Sequence, residues 1–324
     1  MLPMISFMLI NLYNPTVVGV SSALIIAFLL GIVHGITPDE HTWPITFSYA
    51  IGSYSTKKGA KAGLLFSAGF TVQRAILAEL AYLALAPFLL SNNIDGAIYI
   101  VVGIVMALSG FYILKKGIYI HWHSLANLTC RFFHICMGMH DKDIYEKEGL
   151  ESHDMFAEHK VLEPRAVPLK LTFAHGLIAG FGFGAFALIL YTVIVPQMPN
   201  AWVAWIPGML FGIGTMVMQV IFGALMGFWL KTRKYAENQI AYIAKKTSGR
   251  MLAYGGIVFA IAGIILILFP QLYNYNIITP LKIHNLHSLG IGFILVIAVV
   301  GIISIPSYLY AVKESKKLKP DKYK

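Results

Sequence analysis

Gly103-Ile104-Val105-Met106-Ala107-Leu108-Ser109-Gly110 recurs later in the chain as Gly256-Ile257-Val258-Phe259-Ala260-Ile261-Ala262-Gly263. Two further pairs keep the same order. Leu65-Phe66-x-x-Gly69 returns as Leu210-Phe211-x-x-Gly214, and His34-Gly35 returns as His175-Gly176, at offsets of 141 to 153 residues. Matches among Gly, Ala and Ile arise by chance in apolar helices, so one pair alone means little. Three pairs in order indicate a duplication. A three-span unit repeated after an odd number of crossings is inverted in the membrane, and inverted repeats are the usual basis of alternating access.

The composition places these repeats in a bilayer. The 324 residues are 57% hydrophobic and 12% charged, with a mean hydropathy of +0.70. A soluble domain carries about 25% charged residues, so a water-soluble enzyme is excluded. A transmembrane helix needs about 20 apolar residues. Seven stretches qualify: 16–36, 62–90, 97–114, 170–196, 202–230, 251–270 and 287–310. The expected fold is therefore an all-α polytopic membrane protein of about seven transmembrane helices, a 3+3 inverted repeat plus one C-terminal helix. Its divisions are a first three-helix repeat (1–114), a cytoplasmic His- and Cys-containing loop (115–169), a second repeat (170–270), and a seventh helix with a basic tail (271–324).

The net charge of +10 invites a nucleic-acid reading, but its distribution argues against one. Lys and Arg fall in alternate loops: 23 of the 25 lie after the first span, in 115–170, in 231–250 and in the tail, leaving Lys282 and Arg74. The positive-inside rule puts those segments in the cytoplasm and the N-terminus outside. The expected setting is a cell membrane, multi-pass, with the C-terminus cytoplasmic. The first 15 residues lack the basic n-region of a cleavable signal, so the first span is expected to be retained.

The sharpest chemical signal is His34-Gly35-Ile36-Thr37-Pro38-Asp39-Glu40-His41. Imidazole nitrogen with carboxylate oxygen suits a divalent first-row metal, and a Pro at membrane depth breaks the helix and frees carbonyls where they line a cavity. The plainer alternative makes Asp39 and Glu40 the cap and first turn of a following helix. The apolar run 42–54 is expected to continue as a re-entrant or half-membrane segment. His175 opens Gly176-Leu177-Ile178-Ala179-Gly180-Phe181-Gly182-Phe183-Gly184, whose four Gly make a continuous helix costly. Either close helix packing or a broken helix beside a site accounts for it, with His175 a ligand or a core histidine. Gln73, Arg74 and Glu79 lie in the second span, where a charge normally faces an interior path or a partner. Arg74 is a candidate partner of Asp39 or Glu40, and Gln219 lies near the repeat-equivalent position in the fifth span.

The central loop holds six of the eleven His and both Cys. His121, His123, Cys130, His134, Cys136 and His140 are candidate metal-capturing residues, since cytoplasmic Cys stay as thiols and are soft ligands. The spacing matches no standard zinc knuckle, and the mixed charge equally suits a solvated segment, with 118–140 able to lie on lipid as an amphipathic helix.

These features together resemble the nickel/cobalt transporter families, within the superfamily that includes lysine exporters, sulfite exporters and thiol-disulfide carriers. The family motif is His, four residues, then Asp-His. His34 matches its first His and Asp39 its Asp, while Glu40 is inserted before His41. Gly180 to Gly184 is loosely similar to the second motif and lacks its Asp and Thr. The architectural likeness covers 16–270 and the motif likeness 34–41.

The expectation is a secondary transporter moving a divalent transition metal, nickel or cobalt, by alternating access, with His34, Asp39, Glu40, His41 and His175 as ligands. The metal is substrate, with no prosthetic group, and the partners are membrane lipid, the ion and a second copy of the chain, with no nucleic acid. One alternative is an exporter of a small anion such as sulfite, with Arg74 as counter-charge. Another is a metal-dependent membrane enzyme, which ranks last for want of His-Glu-x-x-His or long-helix histidine boxes. Transmembrane thiol-disulfide exchange is excluded because no Cys lies in a span.

Overall fold

The structure is a computed structural model that describes residues 12–15, 17, 19–53, 55–85, 92–116, 169–180, 184–233 and 235–318. It is an all-α polytopic membrane protein. Among the described residues, six helices are long and apolar enough to cross a membrane: Gly19–Ile36, Thr56–Leu83, Ile94–Lys115, Ala201–Lys231, Asn238–Leu268 and Ile291–Ser315.

In chain order, α1 is Gly19–Ile36, α2 Trp43–Ser53 and α3 Thr56–Leu80, which runs on through a π-helical turn Ala81–Leu85. Next come α4 (Asn92–Lys116), α5 (Leu169–Ala179) and the short apolar α6 (Ala185–Gln197). Helices α7 (Ile206–Lys231) and α8 (Glu237–Leu268) follow. A two-rung antiparallel ribbon pairs Ile277 with Leu289 and Ile278 with Ser288. The last helix, α9 (Ile291–Ser315), is π-helical over Ile297–Ser304.

Packing is organised by small residues that let backbones touch. The two copies of the repeated octapeptide lie against each other: a Cβ at Gly103 would strike Gly256 and Ala260, and one at Gly256 would strike Gly103 and Ala107. Gly96 meets Gly263 while Gly110 meets Ala253, so α4 and α8 run antiparallel. On α3 and α7, Gly59 meets Gly223, Gly63 meets Gln219 and Thr71 meets Gly212, which is antiparallel as well. These two pairs make the largest helix interfaces. Small-residue contacts of this kind replace the hydrophobic drive that lipid cannot supply.

The first crossing is broken. Gly31 packs on Phe211 of α7 and Gly35 on Thr215 and Met218. The chain resumes as α2, whose Ser53 lies beside Gly59, itself opposite Gly223, and Ser55 then meets Gly227. α1 and α2 thus lie along α7 in series. Every residue of α2 from Pro44 to Ser53 is buried, so most of the run 42–54 is a short helix inside the bundle. The second half repeats the arrangement in reverse. α5 runs along α3, with Phe173 and Leu177 at Gly69 and Gly180 at Gln73. It ends at Ala179, and α6 begins at Ala185. The stretch 170–196 is therefore two short helices where one span was expected.

Other boundaries differ because helices outlast the hydrocarbon. α8 begins at Glu237 rather than near 251 and carries Lys245, Lys246 and Arg250 in its early turns. Arg250 pairs with Glu314 at 3.2 Å, and Tyr242 donates to the same carboxylate at 3.2 Å, which ties α9 to α8. Lys57, Lys58 and Lys61 open α3, and Lys313, Lys316 and Lys317 close the described chain. We call this the basic end.

Gly256→Val should force the α4–α8 backbones apart and lower stability by about 1–3 kcal/mol or more. Gly301→Ala, where the nearest atom to a new Cβ is Ile297 Cγ2 at 3.9 Å, should leave it unchanged. Thermal unfolding of the two variants in detergent checks this.

Candidate metal centre at a broken helix

The break between α1 and α2 follows from Pro38. A residue preceding Pro is pushed out of the α region, and α1 accordingly stops at Ile36. Asp39 then starts the next helix: its Oδ1 accepts the His41 N–H at 3.1 Å, and its carbonyl accepts the Trp43 N–H at 3.0 Å. This is an N-cap in a buried setting. The Gly35 carbonyl released by the break accepts from Trp43 Nε1 and Gln219 Nε2, both at 3.5 Å.

Capping leaves Asp39 Oδ2 available, and the break gathers three ligating side chains. One ligand atom from each of Asp39, Glu40 and His41 lies within 4.8 Å of the other two. Asp39 is 5% exposed and His41 3%. His41 Nδ1 sits 3.4 Å from Glu40 Oε1, which also accepts from the Tyr99 hydroxyl at 2.8 Å. His34 stands at the edge of this group, Nδ1 to Asp39 Oδ2 being 3.8 Å. Its ring lies among Phe70, Phe186 and Phe211, with centroids 5.2 to 5.6 Å away.

Neither His34 nitrogen, nor His41 Nε2, has a hydrogen-bond partner among the described residues. Buried polar atoms without partners are rare and ask for an explanation, a ligand ion being one. Two carboxylates and two imidazoles fit a borderline divalent cation. Tyr99 on Glu40, and the His41 N–H on Asp39, supply the outer contacts that orient such ligands.

His175 is elsewhere. Its Nδ1 is hydrogen-bonded to the Tyr49 hydroxyl, a link between α5 and α2, and it does not join the group at Asp39. Gln73 and Gln219 occupy matching places, each beside the break of the opposite half. Gln73 lies against Gly180, and neither its amide atoms nor Gln219 Oε1 have hydrogen-bond partners among the described residues. Arg74 is 3% exposed and donates from Nη1 to the Tyr191 hydroxyl at 3.0 Å. It also lies over the rings of Phe70 (4.7 Å) and Phe211 (5.7 Å). Glu79 faces a separate apolar groove of about 570 Å³ with Ile76, Trp205 and Met209. His121, His123, Cys130, His134, Cys136 and His140 lie outside the described residues.

Tyr49, Tyr99 and Tyr191 are functional contacts that sequence patterning does not flag. Each is one aromatic among many in an apolar helix, and its role appears only when a partner helix brings a polar group to it. No family model, no curated protein and no solved structure matches the chain.

The Tyr49–His175 link should show as coupling. His175→Ala and Tyr49→Phe should each destabilise, and the double variant should depart from additivity by about 0.5–3 kcal/mol. Denaturant unfolding of the four proteins of that cycle measures it, and additive effects would refute the link.

Proposed function

We propose that this chain is a secondary transporter of a divalent transition metal ion, nickel or cobalt, working by alternating access between its two inverted halves. The observation that carries the proposal is the meeting of Asp39, Glu40 and His41 ligand atoms within 4.8 Å at an interruption in a membrane-crossing helix. Discontinuous helices near mid-membrane are where secondary transporters place their substrate and ion sites. His34 completes a set of two imidazoles and two carboxylates, and the resemblance of residues 34–41 to the nickel/cobalt transporter motif supports the same substrate class.

The ion would be held by Asp39, Glu40 and His41, with His34 able to close on it from Asp39's other side. Imidazole binds metal only when neutral, so metal release and proton uptake are linked at such a site. The charge asymmetry supports an orientation with the basic end in the cytoplasm. Arg74 is engaged by a tyrosine hydroxyl and two phenyl faces, as an internal structural cation would be, and this favours the metal over a sulfite-like anion as the substrate.

Purified protein titrated calorimetrically with nickel, cobalt and zinc should bind about one equivalent of nickel or cobalt. Asp39→Asn and His41→Ala should each weaken that binding at least tenfold, while Arg74→Gln should leave it within a few-fold. Absence of stoichiometric binding, or binding indifferent to Asp39 and His41, would overturn the proposal.

A further inference from the structure

Glu40 is shared between two environments. On one side it belongs to the group at the break. On the other it lines a polar cavity of about 340 Å³ at the end of the bundle opposite the basic end, together with Asp95, Tyr99, Tyr273, His284 and His287. Gly292 at the start of α9 keeps the cavity open over Glu40, since a Cβ there would collide with the Glu40 carboxylate.

The polar groups of this cavity are held in fixed donor and acceptor roles. Tyr99 donates to Glu40 Oε1 at 2.8 Å, and Tyr273 donates to Asp95 Oδ2 at 3.1 Å. Burial, and then the Asp95 carboxylate, push the Tyr273 phenol well above its ordinary range, so it remains a donor. His284 Nε2 lies 2.6 Å from the Tyr13 carbonyl and His287 Nδ1 3.1 Å from the Leu281 carbonyl. A carbonyl only accepts, so each of these nitrogens carries the hydrogen, and neutral imidazole then keeps its lone pair on the other nitrogen. Burial lowers the pKa of His284, outweighing the bond to the Tyr13 carbonyl, which raises it, with a smaller lowering from His287. Tyr13 stacks on the His284 ring, with centroids 4.6 Å apart, and meets His287 edge-on at 5.0 Å.

The cavity is thus lined by two carboxylates and two imidazoles, each imidazole bonded to a carbonyl through one ring nitrogen. Its ligand atoms do not form a compact first shell: the group close enough to grip a bare ion is the one at Asp39, Glu40 and His41. What this spacing suits is an ion that still carries its water. Six water molecules at about 30 Å³ each occupy ~180 Å³, which leaves room in 340 Å³ for an octahedral hexaaqua ion. Its coordinated waters would donate to the acceptors around it.

We propose that this cavity is a capture site for the hydrated divalent cation, outer-sphere and distinct from the centre at the break, with Glu40 as the one residue common to both. The proposal rests on the metal-transport reading for its cargo. Loss of water then occurs between two sites that share a carboxylate, and the ion is never left without an anionic partner during the transfer.

Hexaamminecobalt(III) tests this, because it keeps its six ligands and presents N–H donors where the hydrated ion presents O–H. Calorimetry on the full chain should show one equivalent bound. Asp95→Asn, and independently His284→Ala with His287→Ala, should weaken the ammine complex at least tenfold while nickel affinity stays within threefold. Asp39→Asn, expected to weaken nickel binding at least tenfold, should leave the ammine complex bound. Tyr273→Phe keeps the Asp95 carboxylate and removes only its support, and should give an intermediate loss. If nickel binding needs Asp39 but the ammine complex does not bind, or binds regardless of Asp95, the capture site is refuted. If the ammine complex binds through Asp95 but nickel ignores Asp39, the capture site stands and the transport centre falls.

Discussion

A helix that stops inside an apolar bundle exposes backbone groups that lipid cannot satisfy, and the arrangement around residues 37–42 answers that constraint. Asp39 serves as cap for α2 and so cannot turn fully away from the break. The Gly35 carbonyl draws Trp43 and Gln219 toward it. The same requirement that keeps the fold intact therefore assembles a carboxylate-rich point in the interior. Capping and ligation are two uses of one residue, with Oδ1 occupied by the backbone and Oδ2 facing His34.

The rest of the architecture keeps that point between two bodies of opposite direction. Paired glycines along α3–α7 and α4–α8 bring backbones into contact at matched heights. Interfaces made of small residues and few side-chain locks suit sliding and rocking better than interdigitated bulky ones. The polar ties between elements sit at particular places: Tyr49 to His175 across the halves, Ser48 to the Ser248 carbonyl at 3.0 Å, and Arg250 to Glu314 at the basic end.

Much of the fold was legible in the sequence because lipid imposes a length and an apolarity that composition reports directly. The break at 34–41 was legible for a similar reason, since Gly35 and Pro38 leave few conformations open. Spacing could not reveal depth: the same local pattern fits a loop end or the middle of a bundle, and only the contacts of Gly31 and Gly35 with α7 decide it. His175 illustrates the other limit. The repeat marks it as the counterpart of His34, but a counterpart lies across the pseudo-axis, against α2 and α3, and not at the same site. Asp95, His284 and His287 were passed over because they lie at or beside the ends of expected spans, in segments that had been used only to assign sides. Helix ends such as Glu237 escaped because hydropathy measures the bilayer, and a helix can continue past it.

The ninth helix stands outside the duplication, and its attachments give it an unequal share in any rearrangement. It is fastened to α8 through Glu314 at one end. At the other, Gly292 rests on the carboxylate of Glu40, which belongs to the opposite half. Between these ends α9 packs along α8 and also meets α2 through its π-helical stretch. The first turn of α9 thus lies on the one carboxylate shared by the cavity and the break, a contact the duplicated helices do not themselves supply.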